Sequence, residues 1–149
     1  MLTVSEKRID MDKNVLIQAA MDVRKHAYAP YSHFAVGAAL ETDAGQIYLG
    51  CNVENASYSA TCCAERGAFQ VAIANGEHAF KRIAIVGGAV DSKIQSVCMP
   101  CGICRQVMRE FCDDTFEILV TDGETVSSYT LEELLPGAFS KNDLTISED

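Results

Sequence analysis

The stretch "FAVGAALET" (34–42) is apolar at almost every position and lacks the alternation that one solvated face would impose on a strand. We therefore predict a strand that is covered on both faces. The turn "DAGQ" follows it, and "IYLGCNVEN" (47–55) is predicted as a second strand, so the two segments form a hairpin. Residues two apart share a strand face, and Leu49, Cys51 and Val53 are expected to point toward apolar surroundings.

Segments with a helical period stand on both sides of this hairpin. Between residues 12 and 28 apolar residues recur every four positions, and Pro30 ends the pattern. The members of this stripe are Val15, Ala19, Val23 and Ala27, with Leu16 and Ala20 beside them. Later helices are predicted at 63–75 and 102–111, and later strands at 82–90, 116–121 and 126–130. This order predicts an α/β fold in which at least one crossover joins parallel strands.

Composition limits the classes of protein to which the chain can belong. Its 149 residues show no repeat or linker and are predicted to form a single domain over 1–149, with flexible ends at 1–11 and 145–149. A net charge of −9 without a basic run disfavours nucleic acid and anionic membranes as partners, so a small molecule is expected instead. Since no export signal or long apolar run is visible, we expect a soluble protein of the cytoplasm.

Seven cysteines in such a chain indicate metal binding or catalysis rather than a disulfide framework. Cys101 and Cys104 form a C-x-x-C pair at the start of the 102–111 helix, where free backbone N–H groups favour thiolates. Cys104 also begins an apolar stripe with the period of a helix. By itself the pair fits a metal site, a redox pair, or a packed core thiol next to a capping residue.

The stretch "TCCAERGAF" (61–69) adds a cysteine and a carboxylate at a second helix start. Cys63 precedes that helix, and Glu65 heads its apolar stripe of Ala68, Phe69, Ala72 and Ile73. A carboxylate on a buried face is costly unless something uses it, although a solvated glutamate stabilised by the helix dipole is the alternative. Thiolates from two helix starts, with a carboxylate beside them, predict an open zinc site with three protein ligands.

Cys63-Ala64-Glu65 followed by "PCGIC" (100–104) resembles the signature of the zinc-dependent nucleoside and nucleobase deaminases. The segments "YAPYSHFAVGAAL", "CNVENASY", "CAER", "PCGICRQVM" and "LLPGAF" narrow the resemblance to cytidine deaminases of the short, homotetrameric type. It extends over residues 12–144. The resemblance implies a three-layer α/β/α fold around a five-stranded mixed sheet, one zinc ion per subunit, and a homotetramer with shared active sites.

The resemblance also implies a reaction. Cytidine and deoxycytidine would be deaminated hydrolytically to uridine and deoxyuridine with release of ammonia, as in pyrimidine salvage. Cys63, Cys101 and Cys104 would hold zinc, and a zinc-activated hydroxide would attack C4 while Glu65 carries protons. Arg66 would hydrogen-bond the thiolates and offset part of their charge.

Five further residues are expected to bind the nucleoside by the same resemblance: Phe34, Asn52, Glu54, Ala64 and Phe139. Asn52 and Glu54 share a strand face, and an amide beside a carboxylate suits sugar hydroxyls. Without the resemblance, this N-x-E pattern is more often a solvated strand end, and Phe34 fits equally well as the first core residue of its strand. Phe139 is expected to reach a neighbouring subunit's site and stack on the pyrimidine.

Other interpretations stay open for the sequence alone. A deaminase that edits RNA or DNA, or a blasticidin-type deaminase, would use the same chemistry. The acidic charge disfavours the former, and "NVENASY" fits a nucleoside sugar better than the antibiotic. A non-catalytic zinc-binding module would need a fourth ligand, with Cys62, Cys98 or Cys112 as donors. A C-x-x-C redox protein would bind no metal.

Overall fold

The computed structural model of the protein describes residues 4–144, with side chains described over 12–144. Two segments of the ends that were predicted to be flexible, 1–3 and 145–149, lie outside the described residues. The first helix begins at Val4, inside the predicted flexible segment 1–11. The elements in chain order are α1 (Val4–Arg24), β1 (Phe34–Thr42), β2 (Ile47–Cys51), α2 (Ala64–Ala74), β3 (Phe80–Ala89), α3 (Gly102–Phe111), β4 (Glu117–Thr121), β5 (Val126–Thr130) and α4 (Leu131–Leu134).

The five strands form one mixed sheet in the order β2-β1-β3-β4-β5. β1 pairs antiparallel with both β2 and β3, and β4 pairs antiparallel with β5. β3 and β4 are parallel neighbours, and α3 forms the crossover between them. The predicted hairpin and the predicted parallel crossover are both confirmed.

Each face of the sheet carries its own apolar layer because strand side chains alternate between the faces. One layer packs against α1 and contains Leu16, Ala20, Ala39, Ala84, Val86 and Leu119. The other packs against α2 and α3 and contains Leu40, Phe69, Ile83, Ile85, Met108, Ile118 and Val120. The three-layer α/β/α architecture is therefore confirmed, and β1 is covered on both faces as its continuous apolar run predicts.

Helix α1 buries only part of the predicted apolar pattern. Val15 is 57% exposed, whereas Leu16 and Ala20, one position further along, are buried. The cause is the backbone contact with β1, where a Cβ on Gly37 would lie 1.9 Å from the carbonyl oxygen of Ala20. This contact brings the Ala20 side of the helix onto the sheet. α1 also ends at Arg24, four residues before the predicted end.

Strand β2 is shorter than predicted and ends at Cys51 rather than at residue 55. Beyond it, Val53 forms single bridges with Tyr28 on one side and Cys62 on the other. Leu49 and Val53 are 42% and 48% exposed in the single chain. The expectation that they face apolar surroundings is therefore wrong for the isolated subunit. α1 packs mainly over β1 and β3 and covers the edge strand β2 less.

Two facing glycines give a test of how α2 sits on β2. A Cβ on Gly50 would lie 2.1 Å from the Ala64 carbonyl oxygen and 2.5 Å from the Ala68 nitrogen, whereas one on Gly67 would meet nothing closer than 3.8 Å. We expect Gly50→Ala to lower the free energy of unfolding by about 1–3 kcal/mol because backbone must move. Gly67→Ala, inside α2, should raise it by about 0.5–1 kcal/mol.

Urea unfolding of both variants in excess zinc measures the two effects under matched conditions. Changes of the same sign and size would contradict the close packing at Gly50.

Candidate metal centre and adjoining cavity

Two helix starts bring three cysteine side chains together. Cys63 immediately precedes α2, Cys101 immediately precedes α3, and Cys104 lies in the first turn of α3. Their three Sγ atoms lie within 4.8 Å of one another, and Cys63 Sγ is 3.8 Å from Cys101 Sγ. Because the N-terminus of a helix carries a partial positive charge, both helices favour thiolates at this point.

The donor set fits zinc. Sulfur ligands suit Zn²⁺, and three of them match the number of protein ligands in a catalytic zinc site that keeps its fourth position open. Among the described residues, the cluster contains Cys63, Cys101 and Cys104 and no fourth protein donor within the same distance.

Glu65 lies in the first turn of α2 and is only 4% exposed. Its Oε2 is 3.7 Å from Cys104 Sγ, so the carboxyl borders the thiol cluster. Burial raises the pKa of Glu65 to about 7, and the negative charge at Cys63 acts in the same direction. The alternative of a solvated first-turn glutamate is therefore wrong. A carboxyl that titrates near neutrality can both accept and release a proton.

Cys63 is the thiol that its neighbours hold in the charged form. The hydrogen bond from Cys104, and then that from Arg66, lower the pKa of Cys63 to about 5, whereas the same contact raises the pKa of Cys104. Arg66 Nη2 lies 3.6 Å from Cys63 Sγ and donates to the Thr61 carbonyl oxygen at 3.0 Å. Arg66 thus bridges the thiol cluster and the segment that leads into α2.

Three cysteines outside the cluster have different surroundings. The Cys62 backbone exchanges two hydrogen bonds with Val53, which ties the segment before α2 to the extension of β2. Cys98 packs where a Cβ on Gly87 would lie 2.6 Å from its Sγ, and burial raises the pKa of Cys98 to about 11. Burial likewise raises the pKa of Cys112 to about 12. Thiols held neutral in this way are typical of packing residues.

A cavity of about 320 Å³ opens beside the cluster. It brings Cys63, Cys101 and Glu65 together with four of the residues predicted to bind substrate: Phe34, Asn52, Glu54 and Ala64. The fifth, Phe139, does not line this cavity and is 59% exposed. Seven of the ten predicted site residues therefore line a single opening. Cys104, a member of the thiol cluster, and Arg66, which contacts that cluster, do not line the opening.

Asn52 and Glu54 are held in place by backbone groups. The Val36 nitrogen donates to Asn52 Oδ1 at 2.7 Å, and Asn52 Nδ2 donates to the Phe34 carbonyl oxygen at 2.8 Å. The nitrogens of Tyr31 and Ser32 donate to Glu54 Oε1 at 3.0 and 3.1 Å. Hydrogen bonds from Ser32 lower the pKa of Glu54, so it is ionised at neutral pH. Both side chains have polar capacity left for a ligand.

Sequence reasoning missed several cavity residues. Val36 was detectable, because it lies two positions after Phe34 in β1 and residues two apart share a strand face. The others lie outside the regular strands and helices, where periodicity gives no direction for a side chain: Ser32, Thr61, Cys98 and Met99.

Three converging thiols, a buried carboxyl with a near-neutral pKa and a small cavity define a zinc-dependent hydrolytic site on an α/β/α fold. The sequence matches the family described as "Cytidine and deoxycytidylate deaminase zinc-binding region" over residues 11–120. The chain belongs to this family.

Individual relatives agree with that assignment. A cytidine deaminase from Sporosarcina psychrophila is 44% identical over 140 residues, which cover 93% of this chain and 99% of the relative. The crystal structure of cytidine deaminase from Burkholderia pseudomallei superposes with a TM-score of 0.77 at 46% identity, covering 85% of this chain and 98% of that one. A blasticidin-S deaminase from Bacillus cereus is 32% identical over 131 residues, covering 85% of this chain and 91% of that protein.

Among the described helices, none combines the length and apolar character that a bilayer-spanning segment needs.

Replacing single cysteines tests the ligand set. Cys101→Ala should lose most of the zinc, whereas Cys98→Ala should keep about one ion per chain, as expected for three protein ligands. Metal analysis of dialysed protein, together with zinc release to a chromophoric chelator, measures both. Equal zinc loss from the two variants would contradict the three-thiol assignment.

Proposed function

We propose that this protein catalyses the zinc-dependent hydrolytic deamination of cytidine and deoxycytidine, giving uridine and deoxyuridine with release of ammonia. The observation that carries this proposal is the position of Glu65, a buried carboxyl of near-neutral pKa at the boundary between the thiol cluster and the cavity. Membership of the deaminase family and the similarity to cytidine deaminases support it.

Glu65 moves the protons of the reaction. Cys63, Cys101 and Cys104 would hold zinc, which would supply the Lewis acidity that makes water a nucleophile near neutral pH. Glu65 takes up the proton that the water releases and delivers it to ring nitrogen N3, which makes C4 more electrophilic. It then takes the proton of the hydroxyl added at C4 and passes it to the departing amine, so that the bond from C4 to the amine breaks as the C4 carbonyl forms. One carboxyl can serve as base and acid because its pKa of about 7 makes both protonation states accessible.

The remaining cavity residues orient the nucleoside. The second carboxylate oxygen of Glu54 and the free amide hydrogen of Asn52 suit the sugar hydroxyls, and Phe34 packs against the sugar and base. Ala64 is the first residue of α2, where backbone N–H groups lack intrahelical partners, and it lines the cavity. Its N–H is suited to the carbonyl oxygen of the pyrimidine.

Arg66 adjusts the charge of the metal centre. Three thiolates around Zn²⁺ leave a net negative charge, which weakens the acidity of the metal. The guanidinium of Arg66 near Cys63, together with the two helix starts, offsets part of that charge.

Replacing the proton carrier gives the most direct test. Glu65→Gln keeps the shape of the side chain but removes its base, and we expect ammonia release from cytidine to fall by about 10²–10⁴-fold or more with zinc content unchanged. Glu110→Gln, on the exposed side of α3, is the matched control and should behave as wild type.

Blasticidin S and single-stranded RNA serve as further substrates in the same assay. Faster release of ammonia from either than from cytidine would overturn the proposal for a free nucleoside. Wild-type protein that holds zinc but acts on none of them would favour the non-catalytic zinc module.

We also propose a homotetramer in which Phe139 of one chain completes the site of another. The Phe139 ring is exposed, while its carbonyl accepts a hydrogen bond from Gln106 Nε2 at 2.8 Å that ties this segment to α3. Val15, Leu49 and Val53 add exposed apolar surface of the kind that subunit contacts cover.

Complementation between two inactive variants tests the shared site. Glu65→Gln and Phe139→Ala chains should each have low activity, but a co-expressed mixture should regain it in about a quarter of the sites if assembly is random. A mixture of Glu65→Gln with Cys101→Ala is the control and should stay inactive, because those two residues serve the same chain's site. Mixed oligomers of the first pair without recovered activity would contradict the shared site.

The cytoplasm is the proposed compartment, because thiols that bind zinc must stay reduced and all seven cysteines are free. A place in pyrimidine salvage stays a prediction.

A further inference from the structure

Arg24 is a buried charge at the end of α1. It is 9% exposed, although arginine is seldom buried without a partner charge. Among the residues whose side chains are described, no carboxylate lies within ion-pair distance of its guanidinium. Its Nε donates to the Ala35 carbonyl oxygen at 2.9 Å, Nη2 to that of Ala89 at 2.6 Å and Nη1 to that of Ser92 at 3.4 Å. One side chain thus joins α1, the start of β1 and the end of β3.

The start of β1 is held from its other side by Asn52. The amide of Asn52 accepts from the Val36 nitrogen and donates to the Phe34 carbonyl, while Arg24 holds the carbonyl of Ala35 between them. Phe34, Val36 and Asn52 all line the cavity. Arg24 and Asn52 therefore both form hydrogen bonds with the backbone of residues 34–36, and of the two only Asn52 lines the cavity.

A glycine in β1 provides the space for this arrangement. A Cβ on Gly37 would lie 2.7 Å from the Arg24 backbone nitrogen and 1.9 Å from the Ala20 carbonyl oxygen. The backbone of α1 can approach the sheet this closely because Gly37 lacks a side chain.

We propose that Arg24 is a positioning residue of the nucleoside site. By holding the first residues of β1 against α1 and β3, it keeps Phe34 and the Asn52 amide in place on the sugar side of the cavity. The inference rests on the proposed function. Since Arg24 holds neither the thiols nor Glu65, its loss should weaken binding of the nucleoside more than it slows the chemical step.

The test compares Arg24→Met with Lys25→Met, the neighbouring cation, which is exposed and pairs only with Asp22 at 3.5 Å among the described residues. We expect Arg24→Met to raise KM for cytidine about tenfold while kcat stays within about twofold, because the three hydrogen bonds that join the start of β1 to Ala89 and Ser92 are lost. Zinc content should be unchanged, and Lys25→Met should match wild type. Arg24→Lys keeps the charge without the planar fork and should give an intermediate KM.

A second substrate separates positioning from a purely structural role. 2′,3′-Dideoxycytidine lacks the sugar hydroxyls that Asn52 and Glu54 are proposed to bind, so its KM should rise much less than that of cytidine in Arg24→Met. An equal rise for both substrates would overturn the proposal. So would a lower urea midpoint with an unchanged KM.

Hydrogen exchange tests, without any substrate, whether Arg24 holds the start of β1 in place; we call this contact the clamp. The Val36 amide, which donates to Asn52, should exchange faster in Arg24→Met than in Lys25→Met. Unchanged exchange would overturn the clamp even in an active enzyme. Wild-type protein that releases no ammonia from cytidine would instead overturn the proposed function, and faster exchange in Arg24→Met would then still support the clamp.

Discussion

The close approach of α2 to β2 at Gly50 is the constraint on which the site depends. The backbone of α2 occupies the space that a side chain at this position would need, with the Ala64 carbonyl oxygen 2.1 Å from the place of a Cβ. α2 therefore begins directly against the strand that leads to Asn52 and Glu54. Because of this contact, Cys63 and Glu65 line the same cavity as Asn52 and Glu54, the residues proposed to bind the sugar.

The same geometry concentrates negative charge at one point. Three thiols and the buried carboxyl of Glu65 meet where α2 and α3 begin. Thiolates so close to one another repel, and a buried carboxylate without a partner is costly, so the ionised form of the cluster is stabilised by a bound cation. The positive ends of two helices and the guanidinium of Arg66 reduce that cost but do not remove it. Stability and chemistry are thus coupled through the metal.

Local patterns predicted the regular elements well where one alternative was much better than the others. β1 runs from Phe34 to Thr42 and α3 from Gly102 to Phe111, as predicted, because long apolar runs and a clear helical period leave little choice. For α1 the apolar pattern did not indicate which of its members are buried. Val15 is exposed whereas Leu16 and Ala20 are buried, because the contact with Gly37 brings the Ala20 side of the helix onto the sheet.

The sequence by itself determined which segments become strands and helices, and it placed thiols and a carboxylate at helix starts. Family resemblance then indicated which cysteines serve as ligands. Tertiary structure alone decided that Asn52 braces β1 as well as lining the cavity, that Arg24 binds carbonyls instead of a carboxylate, and that Phe139 lies away from its own chain's cavity. The physical reason is that these partners are far apart in the sequence. Periodicity reports only which side of an element is apolar, whereas the contact between two elements depends on how both pack against the sheet.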